Sequence, residues 1–140
     1  IRVLTASDVV VERLQSVPGV GLIVATTFRA TLDDITRFRR ADQVSAAIGL
    51  VPREDSSAER RHRGHISKAG PPELRSLLVQ AAWCCWHTRA AVTLRAWAER
   101  IATRRGKRIA VVALARRLSR ILFAIWRDAS VYRAEALLAV

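Results

Sequence analysis

Two adjacent serines, Ser56 and Ser57, stand in the polar stretch Arg53-Glu54-Asp55-Ser56-Ser57-Ala58-Glu59-Arg60-Arg61-His62-Arg63-Gly64-His65. Hydroxyls among four arginines and two histidines are the residue types that phosphate chemistry uses. One group attacks phosphorus, and the cations hold the charge that builds up there. A serine hydroxyl is a weak nucleophile at neutral pH and needs a base, a metal ion or both. No Ser-His-Asp triad is evident from the spacing. A serine in a loop is most simply a polar connection, but Arg60, Arg61, Arg63, His62, His65 and Lys68 favour a site that holds a scissile phosphate. His62 and His65 read as surface hydrogen-bonding groups. Asp33, Asp34, Glu54, Asp55 and Glu59 read as caps and surface charge, since their spacing gives no metal cage.

A second phosphate-directed pattern is Leu14-Gln15-Ser16-Val17-Pro18-Gly19-Val20-Gly21-Leu22, with Ala25 four residues after Gly21. It has the helix-hairpin-helix order: apolar, Pro, Gly, apolar, Gly, then a helix with a small residue. Gly19 and Gly21 would allow a tight turn, and the amides opening the second helix would face a phosphate oxygen. Such a contact reads the backbone of DNA and not its sequence. A turn that only packs is the competing reading, and the local charge is thin, with Arg13 and Arg29 nearby. The third pattern is a basic region. Residues 95–127 hold ten cations and one acid, Glu99, and Arg104, Arg105, Lys107 and Arg108 cluster around Gly106. A solvated helix face is the plain alternative; this imbalance favours a nucleic-acid surface. Trp83, Trp86, Trp97 and Trp126 are expected in the core.

These groups must be positioned by helices. Ser7 is expected to cap a short helix with Asp8 in its first turn and Val9, Val10, Val11 and Leu14 on its apolar face, stopped by Pro18-Gly19. A second helix starts at about Gly21 with Leu22, Ile23, Ala25, Thr26 and Phe28. Asp33 or Asp34 is expected to cap a turn toward Phe38, and Asp42 to open a helix ending at Gly49. Residues 50–70 read as a long polar loop in which His65-Ile66-Ser67 could pair as a short strand. Pro71-Pro72 suit a helix start. Leu74, Leu77, Leu78, Ala81, Ala82 and Cys85 then mark an amphipathic helix to about Thr88. A further helix is expected over about 91–103, and a last one over 107–126 with Leu114, Leu118, Ile121, Leu122 and Ile125 as its stripe. The expected architecture is all-α, one helical domain over 1–140: a helix-hairpin-helix at about 8–30, a catalytic serine loop at about 50–70, and a helical remainder.

The 140 residues are 51% apolar, enough for a core, and carry a net charge of +12 from 24 Lys and Arg against 12 Asp and Glu. Arginine pairs bidentately with phosphate, so the balance points to a nucleic-acid partner. Cys84 and Cys85 are the two cysteines. On a helix they point about 100° apart, which gives neither a disulfide framework nor a zinc site and fits a reducing cytoplasm. No apolar run reaches the roughly 18 residues of a membrane span, so no membrane partner is expected. The chain opens at Ile1 and contains no Met; it reads as a fragment.

Several strings stand in order: Val17-Pro18-Gly19-Val20-Gly21, Arg37-Phe38, Gly49-Leu50-Val51-Pro52, Ser56-Ser57, Ile66-Ser67-Lys68-Ala69-Gly70, Leu74-Arg75 and Ala81-Ala82. Together they resemble the C-terminal domain of bacterial insertion-sequence transposases of the IS one-ten family, also called DEDD or Piv-like recombinases. The resemblance covers nearly the whole chain. It implies an enzyme with a separate N-terminal RuvC-like domain, absent from this chain, whose acidic residues bind Mg²⁺. It implies DNA cutting and rejoining through a covalent serine–phosphate link, guided by a bridge RNA, in a homo-oligomer on the bacterial nucleoid. Carried onto this chain, the nucleophile is Ser57, with Ser56 as the second choice. Ala58 follows where the family usually has Gly. On this reading the chain alone is inactive. The competing functions are a non-catalytic helix-hairpin-helix module that binds DNA or RNA, and a domain whose basic helices hold a guide RNA or another subunit.

Overall fold

Helix α1, Val9–Leu14, begins where the Asp8 carboxylate accepts from the N–H groups of Val10 and Val11 at 2.9 and 3.4 Å. The structure, a computed structural model, describes residues 8–57, 60–66, 68 and 70–134, with the backbone alone for 52–65. Asp8 is therefore the N-cap itself and not a first-turn residue; Ser7 lies outside the described residues. Val11 and Leu14 are buried, and Val9 faces solvent. The chain turns at Pro18-Gly19 into α2, Leu22–Leu32, which buries Val24, Ala25, Phe28 and Leu32. Asp34 caps the short 3-10 turn Ile35–Arg37 through the Thr36 N–H at 3.0 Å. Helix α3, Ala41–Ile48, starts one residue before the expected Asp42. The Gln43 side chain accepts from the Arg39 and Arg40 N–H groups there.

After the ribbon described below, α4 spans Pro72–His87, a 3-10 turn spans Arg89–Ala91, α5 spans Val92–Arg105 and α6 spans Lys107–Asp128. The expected stripe of α4 is buried at Leu74, Leu78, Ala81, Ala82 and Cys85. Helix α6 is the central element: α1, α3, α4 and α5 all pack against it. Leu114, Leu118, Leu122 and Ile125 are buried as the periodicity indicates. Val111, Ala115 and Phe123 are buried too, because helices on several sides widen the buried arc beyond one stripe. The α3–α6 contact contains a polar pair, Ser45 Oγ to Ser119 Oγ at 2.8 Å, both buried, with Ser119 Oγ also donating to the Arg116 carbonyl at 2.6 Å.

The helical class holds for the body of the chain. The expected long polar loop does not: residues Pro52–Ser57 (β1) and Arg60–Ile66 (β2) pair as an antiparallel two-stranded ribbon. Ile66 does pair, with Pro52, as the expected short strand would require; Ser67 lies outside the described residues.

The tryptophans are not core residues. Trp83 is exposed, and Trp86, Trp97 and Trp126 are half-buried. Each lies beneath a cation. Lys107 Nζ is 5.3 Å from both the Trp83 and Trp86 rings, Arg117 is 4.6 Å from Trp97, and Arg29 is 5.0 Å from Trp126. An indole has an apolar body and a π-face that attracts cations, so it settles at the rim of a core where basic side chains can cover it.

Candidate functional site

The ribbon register sets Ser57 opposite Arg60, Ser56 opposite Arg61, Asp55 opposite His62 and Glu54 opposite Arg63. Directly opposed residues in an antiparallel pair have Cα atoms about 4.5–5.5 Å apart. The two serines and two of the cations assigned to phosphate from sequence are thus brought together by backbone pairing at one end of a ribbon. Arg63 falls further along it. Ala58 and Glu59, between the strands, lie outside the described residues. A register irregularity between Pro52 and Glu54 marks the other end.

That other end is tied to the helical body. Ile66 packs against the core and Leu50 is buried within it. The Lys68 N–H donates to the Gly49 carbonyl at 3.1 Å, and the Lys68 side chain is exposed. Gly70 has φ +87°, and a Cβ there would run into the Ala47 carbonyl. Gly49-Leu50-Val51-Pro52 on one side, and Ile66, Lys68 and Gly70 on the other, are therefore the two feet of the ribbon, clamped to the end of α3.

The hairpin between α1 and α2 has the expected order, but its two glycines do different work. Gly19 has φ +86°, and a Cβ there would sit 2.6 Å from the Ala81 carbonyl oxygen and 2.8 Å from the Cys85 nitrogen. It is a packing residue that lets the turn rest on α4. Gly21 is the N-cap of α2 with nothing within 4 Å of its Cβ position and no side chain capping the helix. Arg29 is engaged elsewhere: it pairs with Asp8 at 3.5 Å, donates to the Asp33 carbonyl at 3.0 Å and covers Trp126.

Arg104, Arg105, Lys107 and Arg108 are all exposed and crowd around Gly106 where α5 turns into α6. Lys107 lies between two indoles of α4, which fixes the turn against that helix. Among the described residues no group of three or more His, Cys, Asp or Glu could hold a metal ion. No step below runs through a metal ion held by this chain. No described helix is long and apolar enough to cross a membrane.

A family model described as "Transposase IS116/IS110/IS902 family" matches residues 11–98, more than half of the chain. The chain belongs to the IS116/IS110/IS902 transposase family. The matched span runs from α1 into α5 and includes the hairpin, the ribbon and α4, so the family's shared segment is the one that carries the serines. Similar proteins include the transposase for insertion sequence element IS1111A of Coxiella burnetii, 38% identical over 127 residues, covering 89% of this chain and 35% of that protein. A probable family 20 transposase of Pseudomonas aeruginosa is 35% identical over 130 residues, covering 90% and 38%. An insertion element IS110 protein of 43.6 kDa from Streptomyces coelicolor is 32% identical over 124 residues, covering 87% and 30%. The chain spans about a third of the length of these family relatives.

Proposed function

We propose that this chain is the serine-bearing domain of a DNA transposase that breaks and rejoins DNA through a covalent serine–phosphate intermediate. The observation that carries the reading is the ribbon register, which sets Ser57 and Ser56 across from Arg60 and Arg61 within the family's shared segment. Ser57 is the nucleophile and Ser56 the second choice. Its oxygen bonds to phosphorus as the bond from phosphorus to a deoxyribose oxygen breaks. The hydroxyl proton is lost and the departing oxygen takes one up. The phosphodiester is conserved on the serine, so a second attack by a DNA hydroxyl rejoins a strand without an external energy source. Arg60, Arg61 and Arg63 supply the positive charge that such a phosphorus centre demands.

Gly21 at the α2 N-terminus, Lys68 at the ribbon's foot, and Arg104, Arg105, Lys107 and Arg108 at the α5–α6 turn hold nucleic-acid backbone; Gly19 supports that turn from inside. A guide RNA directs the complete protein, which works as a homo-oligomer on DNA in the bacterial cytoplasm. Mg²⁺ for the reaction is held by acidic residues of an N-terminal domain outside this chain, so the chain alone does not cut DNA.

The test is Ser57→Ala in the full-length transposase. Recombination is expected to fall by about three orders of magnitude or more, as for loss of a covalent nucleophile, with DNA binding retained. Unchanged recombination in Ser57→Ala together with loss in Ser56→Ala moves the nucleophile by one residue. Full activity in both variants sinks the covalent reading.

A further inference from the structure

A groove of about 630 Å³ opens between α6 and the residues that follow it. Arg116, Arg117 and Arg120 of α6 line it, with Arg127 from the last turn and Arg133 beyond. Among the described residues one carboxylate faces it, Asp128, and that is bound by Arg127 at 2.8 Å. Its floor is apolar and aromatic, formed by Trp97 of α5, Ile121 and Tyr132.

Among the described residues, two polar atoms in this groove are buried without a hydrogen-bond partner: Nε of Arg117 and the hydroxyl of Tyr132. A buried donor left unpaired costs about 1–3 kcal/mol, so both atoms are poised for an incoming acceptor. The Arg117 guanidinium lies over the Trp97 ring, 4.6 Å from its centroid. Burial, reinforced by the positive charges of Arg120 and Arg100, holds the Arg117 pKa below its usual value. Among the described residues no carboxylate forms an ion pair with Arg117. A second depression of about 550 Å³ on α5, lined by Trp97, Arg100 and Arg104, shares Trp97 with the groove. The cationic track thus continues from Arg133 past Trp97 to the α5–α6 turn.

We propose that the groove holds one phosphodiester strand, with phosphates on Arg117, Arg120 and Arg133 and a base against the Trp97–Tyr132 floor. Arginines that follow a backbone, combined with aromatic surfaces, are the means by which single strands are bound without sequence preference. The groove's volume falls in the range of about 300–1,000 Å³ typical of small-ligand pockets. That admits a nucleotide unit and excludes the body of a duplex. The proposal rests on the nucleic-acid reading above and adds a location and a strandedness to it.

The experiment is fluorescence anisotropy on the 140-residue chain with three labelled probes of one sequence: single-stranded RNA, single-stranded DNA and duplex DNA. Arg120 and Arg133 are exposed, so the double variant Arg120→Glu/Arg133→Glu keeps the fold, which circular dichroism checks. It is expected to weaken single-strand binding about tenfold or more while duplex binding changes about twofold or less. Whichever single strand binds more tightly identifies the source. Tyr132→Phe removes a hydroxyl that has no hydrogen-bond partner among the described residues. It is expected to leave the melting temperature unchanged or higher while lowering single-strand affinity about threefold, a split that a purely structural tyrosine would not produce. Unchanged single-strand binding in the double variant overturns the groove alone, as does an equal loss for single strand and duplex. Competition by an acidic peptide but not by an unlabelled strand assigns the groove to a protein segment and overturns the proposal. If the unmodified chain binds none of the three probes, the wider nucleic-acid reading falls with it.

Discussion

The adjacent cysteines show what one residue of helical rotation does to chemistry. Cys84 is exposed, and Cys85 lies wholly buried on the face of α4 that meets the core. Burial pushes the Cys85 thiol up to about 11, because a thiolate there would lose its hydration. A thiol reagent at neutral pH is therefore expected to modify one cysteine quickly in the folded chain and the second only after denaturation; two fast equivalents would contradict the packing. The Ser45–Ser119 pair offers a second residue-scale test. Ser119 Oγ donates to the Arg116 carbonyl, so the Ser45 hydroxyl is the donor to Ser119. Ser45→Ala removes one buried bond and is expected to cost about 1 kcal/mol. Ser119→Ala strands the Ser45 hydroxyl in the core and is expected to cost about 1–3 kcal/mol. Denaturant titration of both single variants and the double variant reads the difference, and the double is expected to be no worse than Ser119→Ala.

At the scale of elements, the α1–α2 hairpin separates two roles that its sequence motif merges. Gly19→Ala forces a Cβ into the backbone of α4 and a positive φ onto alanine. The two effects are expected to destabilise the chain by on the order of 2–5 kcal/mol. Gly21→Ala meets open space and ordinary extended backbone, and is expected to cost about 1 kcal/mol or less. Thermal melts of the two variants check this; similar losses would mean that both glycines pack. The ribbon was the element least legible in the sequence. Residues 52–66 alternate no apolar with polar side chains, so the period-2 signal that marks a half-buried strand is missing. What pairs them is the backbone, with acidic positions set opposite basic ones in the register. Its feet were readable as Pro and Gly punctuation and a short strand was expected at His65-Ile66-Ser67, but the pairing of Pro52–Ser57 with Arg60–Ile66 was not.

At the scale of the molecule, a net charge of +12 sits on a chain whose core is almost wholly apolar, so the cations are carried at the surface and at the rim over tryptophan. Binding to DNA through such a surface releases counter-ions, and affinity falls with a log–log salt slope of about −0.9 for each phosphate neutralised. Replacing Arg104, Arg105 and Arg108 by Ala at the α5–α6 turn is expected to flatten the measured slope by about 2–3 units without unfolding the chain. Lys107 is left in place because it binds Trp83 and Trp86. An unchanged slope would remove that turn from the nucleic-acid surface.

The sequence by itself determined the helices, because residues 3.6 apart report one buried face whatever lies opposite: Leu74 to Cys85 and Leu114 to Ile125 declare their helices without a partner. It also determined the excess of positive charge and the ordered strings that belong to the transposase family. The tertiary structure alone decided what depends on contact between distant residues. It made a paired ribbon of an expected loop, and set Gly19 against Ala81 and Cys85 of α4. It moved four tryptophans from the core to its cation-covered rim, and joined Arg117 to Trp97 and Tyr132 across three segments. Periodicity is a local property of the chain, whereas register, close approach and the lining of a groove depend on pairs of residues that no local pattern specifies.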